Sequence, residues 1–241
     1  MISDYGQGGV FTGGNLIADP DGVIAGGVGG SDFSNYKAAN FATERNGYFH
    51  YVLLPHRYNT TSSSSGQAEL NGDDMIVSLY CFGSSYNVGT TTLHELGHNL
   101  SLHHGGFESR NYKPNYNSVM NYQYQFPGVD TDCTPLGNGV VDYSTGSLAD
   151  LDENNLDETI GMCGGVSWDW NGDLSFGTGV VFDINGDAGL TVLSDHDDWA
   201  NLAFGGIGDA DGAAPPAAER RSNVHVELIT EQPVPPANRT G

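Results

Sequence analysis

The stretch HELGHNLSLHHGG, at residues 94–106, decides how the rest of this chain is interpreted. Two histidines four residues apart lie about one turn apart on the same face of an α-helix. His94 and His98 can then both reach one zinc ion, and Glu95 lies beside the open coordination position, where a carboxylate can act as a general base. His104 would complete a three-histidine site and leave the fourth position for water.

The helix that carries this pattern has to end soon after His98. A continued helix would place His104 about 9 Å further along the axis, too far to share a metal with His98. We therefore expect the helix to break after Leu100 and the chain to fold back at Ser101, where a positive φ favours glycine and costs serine about 1 kcal/mol. The histidines are expected to face a cleft, and one leucine stripe is expected in the core: Leu93, Leu96 and Leu100.

A second motif, NSVMNY, occupies residues 117–122, and its methionine lies 16 residues after His104. Together the two motifs resemble the metzincin clan of zinc endopeptidases, in which a tight turn places a methionine beneath the metal. The resemblance implies that Met120 is a hydrophobic floor and not a ligand. It also implies that Tyr122 brings its hydroxyl near the zinc to help stabilise an oxyanion. Ser101 is a departure from the clan's pattern.

The resemblance implies an α+β fold: a metzincin-like catalytic domain with a twisted mixed sheet, the zinc-site helix and the Met-turn below the metal. Composition predicts strands at 48–54 and 74–80 and a short helix within 32–45. In metzincins the strand before the zinc helix forms the sheet edge, so residues 74–80 are expected to pair with an extended polypeptide substrate. The implied activity is that of a zinc-dependent endopeptidase in which a zinc-activated water attacks the peptide bond and Glu95 is the general base.

Two copies of the pattern Asp-x-Asn-x-Asp lie 14 residues apart. Each matches the first half of an EF-hand-type calcium loop, with a partial likeness to dockerin repeats. The candidate calcium ligands are Asp169, Asn171, Asp173, Asp183, Asn185 and Asp187. Position twelve of an EF-hand loop is acidic, but here it is Val180 in the first copy and Ser194 in the second. Asp195, one residue after position twelve of the second copy, or Asp197 could still contribute. The alternative is a pair of acidic turns that hold no ion.

The predicted organisation has three parts: a zinc metalloprotease domain at 1–165, a small loop-rich calcium-binding segment packed on it at 166–204, and a flexible tail at 205–241. The chain has three cysteines, Cys81, Cys133 and Cys163. A Cys133–Cys163 disulfide is the preferred pairing, because it would staple the segment after the Met-turn. Three unpaired buried thiols are the alternative.

Composition restricts the partners. The net charge is −22, from 30 Asp and Glu against 8 Lys and Arg, which argues against nucleic acid and anionic membranes as partners. No apolar stretch approaches the roughly 18 residues of a membrane helix. Residues 1–7 have no basic start and no apolar run, so no signal peptide is visible. We nevertheless expect a secreted or extracellular protein, with a leader removed or with the chain part of a larger precursor.

Two functions from different classes remain open at this point. One is the zinc endopeptidase, and the other is a non-catalytic, calcium-dependent extracellular binding or surface protein with a vestigial zinc site. Glu95 favours the enzyme, because a purely structural zinc site does not need a general base. The remaining histidines lack ligand spacing and are predicted to be ordinary residues: His50, His56, His103, His196 and His225.

Overall fold

The computed structural model describes residues 17–61, 64–80, 83–204 and 227–230. These residues form a small mixed α/β protein with short helices and small sheets. They divide into two compact units. The sheet unit is the described chain up to Ser101 together with 203–204 and 227–230, and the loop unit is residues 102–202. Within the described residues, every helix is too short or too polar to cross a bilayer.

The sheet unit contains two helices, α1 (Ser31–Asn40) and α2 (Ser85–Asn99), and a short 3-10 turn at Thr43–Arg45. Its four strands are β1 (Tyr51–Leu53), β2 (Gly66–Leu70), β3 (Asp74–Val77) and β8 (Glu227–Thr230). They lie in the order β1-β3-β2-β8, with β1 parallel to β3 and the other pairs antiparallel. The helix predicted within 32–45 and the strands predicted at 48–54 and 74–80 are therefore present in shorter form.

The prediction that residues 74–80 form the sheet edge is wrong. β3 pairs with β1 on one side and with β2 on the other, so both edges of this strand are already used. The strand next to β3 on the side away from β1 is β2, which was not predicted from the sequence. Its outer edge pairs with β8, from Gln67↔Thr230 to Leu70↔Glu227. Residues 227–230 belong to the segment predicted as a flexible tail, where a four-residue strand did not stand out beside the Ala-Pro tracts.

A cluster of buried apolar side chains holds α1 against the sheet. Phe33 of α1 is 1% exposed and meets the ring of Tyr51 edge-on, with 5.4 Å between ring centroids. Leu53 and Ile76 belong to the same cluster. This core fixes β1 and β3, and β3 is one of the two strands on which α2 packs.

The loop unit has little regular structure. Two short antiparallel ladders join β4 (Leu151–Asp152) to β7 (Val192–Leu193) and β5 (Leu156–Asp157) to β6 (Thr178–Val180), and α3 is Asp198–Asn201. Its core is Leu151, Leu156, Met162, Trp170 and Leu193. Both ladders connect residues on either side of position 165, so the calcium-loop segment and the chain before it form one compact unit.

The preferred disulfide is confirmed. Cys133 and Cys163 are bonded, with their Cα atoms 5.6 Å apart. The bridge ties the chain after the Met-turn to the chain after β5. Cys81 lies outside the described residues.

Candidate metal centre

Helix α2 carries the first two predicted zinc ligands and ends where the sequence requires it to end. Ser84 caps its start, since the Ser84 Oγ accepts a hydrogen bond from the Asn87 N–H at 3.1 Å. The helix stops at Asn99, and Ser101 has a φ of +78°. The predicted break after Leu100 is confirmed, and serine takes the left-handed conformation that glycine would adopt more cheaply.

The polar face of α2 is its buried face. His94, Glu95 and His98 are fully buried, whereas the leucine stripe that was predicted to enter the core is only half-buried at Leu93, Leu96 and Leu100. That prediction is wrong because the helix packs on β2 and β3 through small and polar residues. The side chains of the ligand face are thereby enclosed.

Asn99 fastens the last turn of α2 to the sheet. Its side chain is fully buried, and its Nδ2 donates to the carbonyl oxygens of Glu69, at 2.8 Å, and Asp74, at 3.1 Å. Its Oδ1 lies 3.0 Å from Nδ1 of His50, and burial lowers the pKa of that imidazole. His50 thus contacts the side chain that fastens the end of α2. The end of α2 is fixed by side-chain hydrogen bonds to two strands.

The three predicted zinc ligands come together. One ring nitrogen of each of His94, His98 and His104 lies within 4.8 Å of those of the other two, and the Nε2 atoms of His94 and His98 are 3.1 Å apart. Zinc–nitrogen bonds of about 2.0–2.1 Å at tetrahedral angles would separate two ligand nitrogens by about 3.4 Å. The three imidazoles are ligands that zinc accepts, and the separation of the His94 and His98 nitrogens is close to the one that zinc needs.

Glu95 is held against strand β2. A Cβ atom added to Gly66 would collide with the Glu95 Oε1 and lie 2.7 Å from the carbonyl oxygen of Ile76. Glycine at this position therefore makes room for the carboxylate. Since Glu95 is fully buried, the strand limits where its carboxylate can lie.

His104 lies at the tip of a tight backbone turn. The His103 N–H donates to the Gly106 carbonyl at 2.8 Å, and the Gly106 N–H returns a bond to the His103 carbonyl at 3.0 Å. We call residues 103–106 the His104 turn. Gly106 has a φ of +81°, and a Cβ there would lie 2.5–2.7 Å from atoms of His196. Glycine is required here by both conformation and space.

The tight turn predicted around Met120 is present. The Asn121 N–H donates to the Ser118 carbonyl at 3.0 Å, and Met120 is fully buried. Ser118 Oγ donates to the buried carboxylate of Asp198 at 2.6 Å, and the Tyr116 hydroxyl donates to it at 2.9 Å. Burial raises the pKa of Asp198 to about 6. No local pattern marks Asp198 as the anchor of this turn, because 80 residues separate it from Ser118.

Tyr122 packs on the third predicted ligand. Its ring centroid lies 4.4 Å from that of His104, with the planes tilted by 44°. Its backbone N–H donates to the Asn111 side chain at 2.9 Å. The contact with His104 is established, and the role predicted for the Tyr122 hydroxyl stays a prediction.

The two predicted calcium loops have the same conformation. In the first, Asp169 accepts bonds from the N–H groups of Gly172 and Leu174, both at 2.8 Å. In the second, Asp183 accepts the equivalent bonds from Gly186, at 2.8 Å, and Ala188, at 2.9 Å. The remaining candidate ligands occupy matching places: Asn171, Asp173, Asn185 and Asp187. Calcium binding itself stays a prediction.

Each loop is closed by a glutamate that the sequence analysis missed. Glu158 accepts from the N–H groups of Trp170, at 2.9 Å, and Gly177, at 3.1 Å. Glu153 accepts from Ile184, at 2.8 Å, and Thr191, at 2.9 Å. Both glutamates are fully buried. The available signal was the tripeptide Leu-Asp-Glu, which occurs at 151–153 and again at 156–158.

The late acidic residues are engaged elsewhere. Asp195 accepts from the Ser144 hydroxyl at 2.7 Å and the Leu148 N–H at 3.0 Å. Asp197 caps α3 through the Ala200 N–H at 3.0 Å. Both side chains therefore serve other turns, and a contribution of either one to a calcium loop stays a prediction.

Comparison of the chain with protein-family models, with curated proteins and with solved structures yields no match in any of the three. Any function assigned to the chain therefore depends on the residues and distances described above.

Proposed function

We propose that this protein is a secreted, metzincin-like zinc endopeptidase that cleaves extended polypeptides. The observation that carries the proposal is Glu95: a fully buried carboxylate directly after His94, on a helix whose two histidines present Nε2 atoms 3.1 Å apart. A structural zinc site is served by ligands alone. A carboxylate kept beside such a ligand pair, with Gly66 making room for it, is the arrangement that hydrolysis needs.

The chain's own residues divide the work. His94, His98 and His104 would hold the metal, which when bound lowers the pKa of water to about 7 and polarises a carbonyl group. Glu95 would take the proton from the attacking water and pass it to the leaving amine. The hydroxyl of Tyr122 would donate to the developing oxyanion.

An extended polypeptide is the substrate class that the sheet favours. β2, whose Gly66 lies against Glu95, offers an outer edge that accepts β8 in antiparallel register. Pairing of this kind supplies affinity through backbone hydrogen bonds and sets few requirements on sequence. An extended substrate would compete with β8 for the same edge.

Calcium would stabilise the loop unit. Each loop directs two aspartates and one asparagine into one tight turn, and oxygen-rich turns of this kind suit calcium. The strongly acidic composition is consistent with a calcium-rich extracellular medium. The same surplus of negative charge disfavours nucleic acid as a partner.

The direct test measures zinc content and casein hydrolysis on the same preparation. We expect about one zinc per chain, hydrolysis that stops with 1,10-phenanthroline and returns with zinc, and a Glu95→Gln variant that keeps its zinc but loses orders of magnitude in activity. His104→Ala should lose the zinc, and His103→Ala serves as the matched control that keeps it. Zinc uptake with no hydrolysis of any polypeptide would instead favour the calcium-dependent binding protein with a vestigial site.

A further inference from the structure

Lys113 is a buried lysine whose donors all point at backbone or carboxylate oxygens. Its side chain is fully buried, and Nζ donates to the carbonyl oxygens of Gly105, at 2.8 Å, and Ser194, at 2.7 Å, and to Oε1 of Glu108, at 3.1 Å. An ammonium has three N–H donors, so each has a partner. Burial lowers the pKa of Lys113, and the neighbouring carboxylate of Glu108 opposes that shift.

The first of these acceptors belongs to the His104 turn. Gly105 directly follows His104, and its own N–H donates to the Glu108 carbonyl at 2.8 Å. Lys113 therefore holds the turn from its carbonyl side, while Glu108 holds it from its N–H side and pairs with the same lysine. The backbone next to His104 is thus held through both the N–H and the carbonyl group of Gly105, the residue that follows it.

The second acceptor, Ser194, directly follows β7, so Lys113 ties the His104 turn to the chain after the second calcium loop. Two further contacts join the same regions. Arg110 pairs with Asp187, with 3.2 Å between Nε and Oδ2, and the ring of Phe107 meets that of His196 at 5.6 Å between centroids. The chain around His104 is thus built onto residues 187–196.

We propose that Lys113 is a positioning residue that orients His104 for zinc. This rests on the proposed function only in taking His104 as a zinc ligand. His94 and His98 do not need such help, because a helix fixes their spacing. A ligand at the tip of a turn has to be ordered from outside, and groups that orient metal ligands commonly contribute ten- to hundredfold to metal affinity.

The test compares zinc affinity in full-length variants, by competition with a chromophoric chelator. Lys113→Met keeps the length of the side chain and removes its donors, and we expect its zinc affinity to fall by about ten- to hundredfold. Lys113→Arg, which keeps donors and charge, should lie between it and the wild type. In a His104→Ala background, titrated at the higher zinc concentrations that two remaining histidines need, Lys113→Met should cause no further loss of affinity, because the residue acts through that histidine.

The matched control is Lys37, the chain's only other lysine. It pairs with Asp73 and Asp74 in the sheet unit, so Lys37→Met should lower thermal stability and leave zinc affinity at the wild-type value. Cobalt substitution adds a spectroscopic measure. The visible absorption of the cobalt-loaded protein reports ligand geometry, and it should change in Lys113→Met and stay unchanged in Lys37→Met.

Two results would overturn the proposal. One is a folded Lys113→Met with wild-type zinc affinity and cobalt spectrum. The other is an equal loss of affinity in the wild-type and His104→Ala backgrounds, since that would make the effect one of general stability. If Lys113→Met does not fold, Lys113→Arg decides by the same two measurements. A wild-type protein that takes up no zinc would overturn the proposed function as well, and Glu95→Gln tests that function without involving Lys113.

Discussion

Helix α2 and the His104 turn hold their histidines in two different ways. On α2 the spacing between His94 and His98 follows from helix geometry, and the helix end is fixed by Asn99. The His104 turn is a four-residue loop whose position depends on Lys113 and, through it, on Ser194, which is 81 residues further along the chain than that lysine. The positions of His94 and His98 thus depend on local helix geometry, and the position of His104 depends on the folded loop unit.

The metal centre should therefore respond differently to changes in these two regions. Changes near α2 should act on chemistry while the ligands stay in place, because the helix supports itself. Changes near the His104 turn should act on metal affinity, because that ligand is supported from elsewhere. Variants in both regions distinguish these two kinds of effect.

Gly66→Ala should impair catalysis and spare the metal. The added Cβ would collide with Glu95, and displacing a general base costs about a hundredfold or more in rate, since such groups contribute about 10²–10⁴-fold. Zinc content should stay near that of the wild type. Gly89→Ala is the control, because Gly89 lies in α2 with no atom within 4 Å of an added Cβ, and alanine there should preserve activity. Loss of zinc in Gly66→Ala would show that the ligands on α2 depend on how the helix packs against the sheet, which the added Cβ also meets at the Ile76 carbonyl.

Tyr122→Phe distinguishes a packing role of Tyr122 beside His104 from a role of its hydroxyl in catalysis. It keeps the ring that lies 4.4 Å from His104 and removes only the hydroxyl. If that hydroxyl stabilises the oxyanion, kcat should fall by about ten- to thousandfold with little change in KM. Met120→Leu, which keeps the volume, should be far milder. A wild-type kcat in Tyr122→Phe would leave Tyr122 as a packing residue of the His104 turn.

Gly106→Ala should weaken zinc binding by about tenfold, through the group that orients His104. Alanine there must adopt a φ of +81° and also meet His196. Gly164→Ala is the matched control. Gly164 has a φ of +72° with no atom within 4 Å of an added Cβ, so it carries the same backbone strain, about 1 kcal/mol, without the collision. Competition with a chelator measures both, and equal zinc affinities in the two variants would contradict the prediction.

The two calcium loops provide the smallest and most selective test. Calcium should raise the melting temperature by about 5 °C through binding to the folded state. Asp169→Ala with Asp173→Ala, and Asp183→Ala with Asp187→Ala, should each remove part of that shift. Only the second double variant should also lower zinc affinity, because Asp187 forms an ion pair with Arg110 near the His104 turn. Equal effects of the two double variants on zinc affinity would show that the second calcium loop does not support the His104 turn any more than the first.

Local features of the chain were predictable from its sequence. Patterns that span few residues predict the ligand spacing, the break at Ser101 and the turn around Met120. The Cys133–Cys163 pair could be predicted because three cysteines allow few pairings. What was missed depends on contacts between distant segments. β2 and β8 carry no strong strand pattern, and the role of Lys113 becomes visible only once Ser194 lies beside it. Hydrophobicity alone does not predict the buried face of α2, because that face is formed by small and polar residues, among them Gly97 and Asn99.

The glutamates of the loop unit imply an order of folding. Glu158 bonds to backbone groups 12 and 19 residues away, and Glu153, which precedes it, bonds to groups 31 and 38 residues away. One closure is nested inside the other, and the entropy lost on closing a loop grows with its length. We therefore expect the inner closure to form first and to shorten the chain that the outer one must span. Ser194 follows the outer closure, so the support for His104 would be completed late, and the protein would gain its metal affinity only when folding is nearly finished.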